Sequence, residues 1–345
     1  MALLLEHTYV YPRIESPQSL CFTYPSRVAD AWEPFGEKVI ENKSVVPETC
    51  FSVKMFGGST RELRLRDWVR KWNLPRRMQR LREPLNLDGI LYDGRCASDL
   101  ENVSHFLSGT LTLLLHAQRV LSEHNPEAGS IRVVLHAKPP KFACEMLDIL
   151  DIPYILTDRE LRGTLVSVEK TILRSNETIQ HYPIPSLFDN RSLDAEVMPK
   201  RVFLSRKVSR QMTNEAEVDE LLGREGFAKC YFEDLSVREQ WGVMRNAEEI
   251  VAIHGAALGH LLVHHGWRTG EGPRVVEIFG AGHKTKCFRY YVAALRGHWC
   301  AVRSKITSKI IRDMDENYRR HKHAWDPITV DPESVRLALE YVRQG

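Results

Sequence analysis

Residues 248–263 read EEIVAIHGAALGHLLV, a short β-branched run that ends in His-Gly-Ala-Ala and continues into an apolar segment. The first part, 249–254, is typical of a buried β-strand, and residues 257–264 are typical of a helix that follows without a loop. Gly255 permits a backbone bend that a side chain would obstruct. The stretch therefore predicts a strand, a tight turn and a helix in immediate succession.

The same alternation of apolar strands and helices extends from residue 201 to residue 303. Five segments have the pattern of buried strands: RVFLSR (201–206), FAKCYF (227–232), EIVAIH (249–254), RVVEIF (274–279) and HWCAVR (298–303). Four helical segments separate them: Thr213 to Arg224, 236–247, 257–264 and 286–296. Ser236 and Glu239 have the spacing of a helix capping box. Strands that alternate with helices in this way predict a parallel, doubly wound sheet.

Two further regions set the expected domain organisation. Residues 129–172 alternate between strand and helix patterns, so the N-terminal part also has α/β character, and a longer helix is expected over 103–122. We predict an N-terminal α/β domain over 1–190 and a C-terminal Rossmann-like domain over 198–330. A terminal helix over 331–345 is expected to pack back toward the N-terminal domain.

Composition excludes several classes of protein. At 345 residues, with 43% hydrophobic and 27% charged residues, the chain should form two medium-sized globular domains. A net charge of +3 is too small to support binding along a polyanion, and no apolar run is long enough to predict a membrane span. The seven cysteines are scattered without a C-x-x-C pair, which favours free thiols in a reducing compartment. Since the first residues also lack the basic head of a signal peptide, we expect a cytoplasmic protein.

The turn His254-Gly255-Ala256 lies where a parallel sheet binds ligands. Such sheets bind them beyond the carboxyl ends of their strands, where the first N–H groups of the following helices are free. These groups and the helix dipole favour an anion, most simply a phosphate. The alternative is a tight turn in which His254 is a hydrogen-bonded core residue, and the pattern alone leaves both interpretations open.

The first strand of the series delivers cations to the same edge. It ends in Ser205-Arg206, and Arg210 follows shortly after. A guanidinium presents a planar fork of donors that matches phosphate oxygens, although a solvated basic loop would have the same sequence. Glu277 lies in the fourth strand, and a carboxylate near a phosphate site can hold the two hydroxyls of a ribose. Together these residues predict a nucleotide site.

Other residues allow alternative functions. His260 and His264 have the i, i+4 spacing of zinc ligands, but no cysteine or carboxylate stands at a ligand spacing from them, and His264 is expected at the solvated end of its helix. Segment 61–82 predicts an arginine-rich amphipathic helix with Trp68 and Trp72, which could bind nucleic acid or a membrane surface. An NAD-dependent oxidoreductase would need a G-x-G-x-x-G after a strand, and none follows the strands found here.

Four motifs resemble glycosyltransferase family 61 in order and spacing. They are RVFLSRKVSR (201–210), NAEEIVAIHGAALGHLL (246–262), RVVEIF (274–279) and FRYYVAALRGHW (288–299). Upstream, Asn102-Val-Ser-His105-Phe-Leu resembles the N-x-x-H-W-L element of that family, which opens a helix in its first domain.

The resemblance implies an α/β, GT-B-like fold with two Rossmann-like domains that face a central cleft. It also implies an inverting glycosyltransferase that uses a nucleotide sugar and needs neither a bound metal nor another cofactor. The donor-binding residues that it implies are, for the phosphates, Ser205, Arg206, Arg210, His254, Gly255 and Ala256 and, for the ribose, Glu277.

An inverting transfer also needs a base that takes the proton of the acceptor hydroxyl. We expect this base in the N-terminal domain, where Asn102 marks the acceptor side. The candidate catalytic residues are His105, from the N-x-x-H element, and Asp93, from the turn-like DGILYDGR. Where the family often has an acidic residue after this element, the chain has Ser108 and Gly109.

The predicted function is transfer of a sugar, preferably from a UDP-sugar, to a hydroxyl of a glycan or a lipid-linked glycan. The chain does not begin with an anchor like that of eukaryotic members, which favours bacterial or viral synthesis of a surface polysaccharide or a glycoprotein glycan. We expect the enzyme in the cytoplasm, with peripheral contact at the inner face of the membrane and no nucleic-acid partner. The alternative is a nucleic-acid or membrane-surface binding protein that uses the helix over 61–82.

Overall fold

The chain folds into two compact units. One comprises residues 1–13 and 47–187, and the other comprises residues 14–46 and 188–345. The predicted N-terminal domain is therefore wrong in one respect, because residues 14–46 belong to the second unit. The computed structural model describes residues 2–24, 38–41, 44–46, 48–60, 83–96, 101–172, 188, 198–281, 287–313 and 323–345.

The described residues form strands β1 to β15 and helices α1 to α8. The strands are β1 Ala2–Tyr11, β2 Ile14–Ser16, β3 Ser19–Thr23, β4 Lys38–Glu41, β5 Ser44–Val46, β6 Thr49–Ser59, β7 Leu85–Asp93, β8 Ile131–Leu135, β9 Tyr154–Leu156, β10 Leu161–Ile172, β11 Arg201–Ser205, β12 Ala228–Tyr231, β13 Glu249–Ile253, β14 Arg274–Phe279 and β15 His298–Arg303. Helix α1 consists of Val103–His105, the π-helical Phe106–Leu111 and Thr112–His124. The other helices are α2 Lys141–Ile149, α3 Glu215–Arg224, α4 Val237–Asn246, α5 Gly266–Thr269, α6 Cys287–Ala294, α7 Ser308–Asp313 and α8 Pro332–Gln344. Short 3-10 helices lie at Gly94–Cys96, Pro126–Ala128, Phe232–Asp234 and Ala256–Val263.

The first unit is built on a six-stranded mixed sheet in the order β1-β6-β10-β7-β8-β9. Strand β6 pairs antiparallel with β1 and β10, whereas β10, β7, β8 and β9 run parallel to one another. A Rossmann-like sheet is mostly parallel. The antiparallel half of this unit therefore departs from the predicted pair of Rossmann-like domains.

Helix α1 begins at a side-chain cap. The side-chain oxygen of Asn102 accepts hydrogen bonds from the backbone N–H groups of Ser104 (3.0 Å) and His105 (3.4 Å), which lack partners inside the helix. In the π-helical part, the hydroxyl of Thr112 donates to the carbonyl five residues earlier at 2.7 Å. The regular helix predicted over 103–122 is thus interrupted by a π-helical turn. The prediction missed this turn because apolar periodicity does not distinguish a π-helical turn from α-helix.

The second unit has a seven-stranded sheet in the order β12-β11-β13-β14-β15-β3-β4. The first six strands in this order are parallel, and β4 is antiparallel. All residues of the central strand β13 are buried, as expected for a parallel strand covered on both faces. The predicted run of five parallel strands is confirmed, and Ser236 and Glu239 form the predicted capping box of α4.

Strand β3, which was predicted to lie in the N-terminal domain, and helix α8, which was predicted to pack toward it, complete the core of the second unit. Strand β3 pairs parallel with β15. Helix α8 packs on β15, β14 and β3, with Val335, Leu339 and Val342 buried in their core. Its Arg343 donates a hydrogen bond to Glu249 of β13 at 2.7 Å. The predicted packing of the terminal helix toward the N-terminal domain is wrong, because an apolar face specifies burial and not the partner.

The segment after β13 is buried more deeply than expected. It forms a 3-10 helix in place of the predicted α-helix, and α4 packs against it. His264 has almost no exposed surface, and its ring nitrogens hydrogen-bond the carbonyl of Ala247 and the N–H of Gly266, both at 2.9 Å. The predicted solvated position of His264 is therefore wrong. Because both nitrogens are bonded to the backbone, His264 is not placed to share a zinc ion with His260.

His260 makes the stability of the fold sensitive to acid. It is fully buried against Phe232, no described residue hydrogen-bonds either ring nitrogen, and burial lowers its pKa to about 3. An unfolded histidine has a pKa of about 6.5, so below that pH the unfolded chain takes up a proton that the folded chain excludes. We expect this residue to remove about 2 kcal/mol from the free energy of unfolding between about pH 7 and pH 5.

Urea unfolding of the wild type and of His260→Leu at both pH values measures this contribution. The variant should lose less stability on acidification than the wild type, whereas the exposed-residue control His124→Leu should not differ from it. An equal loss of stability in His260→Leu and the wild type would contradict the prediction.

Candidate functional site

Four predicted donor-site residues come together at the carboxyl edge of the second sheet. Strands β11 and β13 are parallel neighbours, so the segments that follow them emerge at the same edge. Arg206 Nη1 donates a hydrogen bond to the carbonyl oxygen of His254 at 3.4 Å, and Arg210 Nη1 donates to the same oxygen. Two guanidinium groups therefore converge on the turn at His254 and Gly255.

Gly255 makes room for these guanidinium groups. A Cβ atom added there would lie 1.8 Å from Arg206 Nη1 and 3.3 Å from Arg210 Nη1. The backbone of Gly255 is extended, with a φ of 167°. The glycine is therefore needed for space, and not for the unusual backbone bend that the sequence suggested.

Both guanidinium groups are largely removed from water and have only neutral acceptors. Burial lowers the pKa of Arg206, and burial together with the charge of Arg206 lowers the pKa of Arg210 to about 10. The acceptors are the carbonyls of His254 and Ala324 and the hydroxyl of Ser209, and Arg206 Nε is buried without an acceptor in the described part of the chain. Neighbouring desolvated cations without a paired carboxylate are stabilised by an anion.

The segment 323–326 holds Arg210 in place. Arg210 has a left-handed backbone, with a φ of 56°, which is uncommon for a residue with a long side chain. Its N–H donates to the carbonyl of Trp325 at 3.3 Å and its Nε to the carbonyl of Ala324 at 2.6 Å. Its guanidinium lies 4.4 Å from the centroid of the Trp325 ring, which is 63% exposed. An aromatic surface open to solvent thus adjoins the two cations.

Glu277 lies inside the protein and not at the sheet edge. Its side chain has no exposed surface; Oε1 hydrogen-bonds His254 Nδ1 at 2.5 Å, and Oε2 accepts from Trp299 Nε1 at 2.8 Å. Burial raises the pKa of Glu277 to about 8, while the Trp299 hydrogen bond and the charge of Arg210 act to lower it. A buried carboxylate with both oxygens engaged cannot hold a ribose, so the ribose assignment is corrected. Glu277 instead fixes the imidazole of His254, which stacks on Phe279 at 5.0 Å.

Ser205 and Ala256 have different surroundings from the two arginines. Ser205 is buried, and its hydroxyl donates to the carboxylate of Glu215, which also accepts from the hydroxyl of Tyr231 at 3.0 Å. The hydroxyl predicted to bind phosphate is therefore engaged by a carboxylate. Ala256 is half-buried at the first position of the 3-10 helix, directly after Gly255. Sequence reasoning missed Glu215, although an acidic residue in the first turn of a predicted helix was a signal for it.

The predicted acceptor-side residues lie in the first unit. Asn102 caps α1, and His105 is half-buried in the first turn of that helix. Asp93 is not available as a base, because its two oxygens accept hydrogen bonds from the Arg95 guanidinium at 2.7 and 2.9 Å and both side chains are almost fully buried. The prediction of Asp93 as a catalytic base is therefore wrong. Its carboxylate serves a buried, bidentate ion pair.

A histidine–aspartate pair that sequence reasoning missed lies in the same unit. His136 directly follows β8, and Asp158 follows β9; His136 Nδ1 lies 2.7 Å from Asp158 Oδ1. Burial acts to raise the pKa of Asp158, but hydrogen bonds from His136 and from the N–H of Ala137 outweigh it and lower that pKa overall. The available signal was that both residues lie at the ends of strand-like stretches in the alternating region 129–172.

The predictions about a metal ion, a membrane span and segment 61–82 can be compared only with the described residues. Within the described part of the chain, no three histidine, cysteine, aspartate or glutamate side chains are grouped to hold a metal ion. The sequence has one pair of aspartates separated by a single residue (D-x-D), Asp313 and Asp315. Asp315 lies outside the described residues. No described helix has the length and apolar character needed to cross a membrane. The arginine-rich segment 61–82, with Trp68 and Trp72, also lies outside the described residues.

Comparison with known families agrees with the sequence resemblance. A family model described as Glycosyltransferase 61 matches residues 100–269, which include Asn102, Arg206 and His254 and end before Glu277. The protein is a glycosyltransferase of mixed α/β fold. It belongs to glycosyltransferase family 61, as its motifs predicted. A search of curated proteins gives no significant match.

Proposed function

We propose that the protein transfers a sugar, with inversion, from a nucleotide-sugar donor to a hydroxyl of a glycan, and that UDP-sugars are the preferred donors. The observation that carries this proposal is the pair of buried guanidinium groups of Arg206 and Arg210 at the turn after β13. No described carboxylate forms a direct ion pair with either guanidinium, although the charge of Glu233 acts on Arg206 and that of Glu277 acts on Arg210. A diphosphate would supply the missing negative charge.

In this mechanism the second unit stabilises the leaving group. Negative charge develops on the diphosphate as its bond to the sugar breaks, and preorganised cations in a desolvated site stabilise that charge strongly. Arg206 and Arg210 are held in position by backbone carbonyls before the donor binds. We propose that they replace a metal ion in this role and that no other cofactor is needed.

The acceptor is activated by a base in the first unit. The family resemblance assigns this role to His105, and that assignment stays a prediction. The two α/β units support a proposal of GT-B-like architecture, in which one unit binds the donor and the other the acceptor. Asn102 would act on the acceptor side indirectly, because its side chain caps the helix that carries His105.

The cellular setting is also a proposal. Six of the seven cysteines are free thiols, as is usual in a reducing compartment: Cys21, Cys50, Cys144, Cys230, Cys287 and Cys300. We propose a cytoplasmic enzyme at the inner face of the membrane. Its acceptor would be a glycan or a lipid-linked glycan that is used for a bacterial or viral surface polysaccharide or glycoprotein. We propose no nucleic-acid partner. Binding of nucleic acid or a membrane by segment 61–82 is the alternative.

A thermal-shift series tests this function. We expect UDP at about one hundred times its Kd to stabilise the protein by about 2.7 kcal/mol, equally with and without a chelator. Arg206→Ala should lose most of this stabilisation but fold normally, since its side chain bonds only at the sheet edge. Arg238→Ala, which removes an exposed arginine of α4, is the control and should respond to UDP like the wild type.

Several outcomes would change the proposal. Stabilisation by GDP or a CMP-sugar in place of UDP would change the preferred donor. Loss of the UDP effect on chelation would contradict the metal-free mechanism. Stabilisation by a short RNA, with no response to any nucleotide, would favour the alternative function.

A further inference from the structure

The carboxyl edge of the first sheet carries a second group of polar residues. Strands β7, β8 and β9 are parallel neighbours, and register pairs join Asp93 to Val134 and Leu135 to Leu156. The residues just beyond these strands therefore lie side by side. Ligands of parallel sheets bind at this edge.

His136 and Asp158 form an oriented pair at this edge. The Nδ1–H of His136 donates to Asp158 Oδ1 at 2.7 Å, a tautomer assigned from the ionised carboxylate that accepts it. No described residue hydrogen-bonds Nε2 of His136. The side chains of the pair are 19% and 27% exposed, so the imidazole is held firmly and can still be reached from solvent. A histidine oriented through Nδ1 by a carboxylate has the arrangement of a general base.

The buried Asp93–Arg95 pair fixes the loop that carries Asp158. Arg95 Nη1 donates to the carbonyls of Thr157 (3.0 Å) and Arg159 (2.7 Å), the two residues that flank Asp158. The positive charge of Arg95 also helps to lower the pKa of Asp158. Asp93, predicted to be the base, thus acts through Arg95 to fix the loop that carries Asp158.

Neither of the two positions at which a carboxylate base was considered can take the proton of the acceptor hydroxyl. Asp93 has both oxygens bonded to Arg95. At the position where family members often have an acidic residue, Ser108 is buried and its hydroxyl donates to the carbonyl of Ser104 at 2.7 Å. The first unit therefore lacks a carboxylate at the family position, whereas His136 carries its own orienting carboxylate.

We infer that His136, oriented by Asp158, is the general base that binds and activates the acceptor hydroxyl. This inference rests on the proposed function. In the step, the hydroxyl proton moves to Nε2 of His136 while the acceptor oxygen forms a bond to the anomeric carbon. The bond from that carbon to the diphosphate breaks, and its electron pair leaves on the phosphate oxygen. The resulting imidazolium is stabilised by Asp158 until it releases the proton to water.

Release of UDP from a UDP-sugar, with p-nitrophenyl glycosides as acceptor probes, tests this inference. His136→Ala should lower kcat about 100-fold or more and leave the UDP-dependent thermal shift unchanged. His124→Ala, an exposed histidine on α1, should keep near wild-type activity. His105→Ala, assayed in parallel, should keep more activity than His136→Ala.

Asp158→Asn separates catalysis from a structural role, because an amide can keep the Nδ1 hydrogen bond but not stabilise the imidazolium. Asp158→Asn should therefore lower kcat at least about tenfold while the acceptor KM and the UDP-dependent thermal shift stay near their wild-type values.

Each result bears on the inference. It is overturned if His136→Ala stays within about threefold of wild type, if its loss of activity comes with loss of the UDP effect, if Asp158→Asn keeps the wild-type kcat, or if His105→Ala alone is inactive. If the proposed function is wrong, UDP will not stabilise the wild type and the wild type will not release UDP from a UDP-sugar. The inference about His136 would then be wrong as well.

Discussion

Gly255→Ala is expected to abolish donor binding while the protein stays folded. The added Cβ would lie 1.8 Å from Arg206 Nη1 and 3.3 Å from Arg210 Nη1, so one guanidinium must leave the turn and the other is crowded. The clash is with the end of a flexible side chain, which can swing out at little cost to the fold. Because the displaced group is expected to neutralise the leaving diphosphate, kcat/KM should fall about 1,000-fold. Steady-state kinetics and the UDP thermal shift measure the effect.

Gly223→Ala is the matched control. Gly223 lies near the end of α3, and a Cβ there would meet nothing within 4 Å. Since alanine favours helix more than glycine does, this variant should be slightly more stable than the wild type and fully active. Normal UDP binding by Gly255→Ala would show that the two guanidinium groups do not form the donor site.

Glu277→Leu should have the largest effect on stability. It removes the carboxylate that hydrogen-bonds His254 and Trp299 and leaves both groups buried without that partner. A buried polar group left without its hydrogen-bond partner costs about 1–3 kcal/mol, and the loss at both His254 and Trp299 is a large part of the stability of a typical domain. Urea unfolding at neutral pH measures the loss.

Glu277→Gln distinguishes this structural role from the ribose role that the sequence suggested. Glutamine keeps one acceptor for Trp299 and one donor for His254, so it should cost much less than leucine. It should also leave the UDP thermal shift near the wild-type value, since Glu277 has no exposed surface. A stable Glu277→Gln variant with weakened UDP binding would restore the ribose assignment.

The sequence was sufficient to predict five parallel strands of the second sheet and the convergence of two arginines on one turn. Parallel strands all end at the same edge, so knowing the strand ends places Arg206, Arg210 and Gly255 close together without any side-chain geometry. Glu277 shows the limit of this reasoning. It lies within β14 and not after it, in a strand that is buried on both faces, so its side chain is enclosed in the interior against His254.

The remaining errors concern long-range partners. An apolar stretch such as β3 or α8 predicts that it will be buried, but its partner depends on contacts with residues far away in the sequence. The His136–Asp158 pair depends on β8 lying beside β9, which a single sequence does not specify. Asp93 was selected because it lies in the turn-like stretch DGILYDGR, and the sequence did not show that its carboxylate is engaged in an ion pair with Arg95.

The placement of β3 in the second sheet affects the order in which the protein can fold during synthesis. Hydrogen bonding between Cys300 of β15 and Leu20 of β3 joins residues 280 positions apart. The ribosome makes β3 before most of the first unit, whereas its neighbour β15 follows that unit in the chain. Since non-local strand pairing is slow and leaves unpaired edges exposed until it is complete, β3 cannot pair with β15 until the first unit has been made. Completion of the second sheet therefore requires prior synthesis of the first unit.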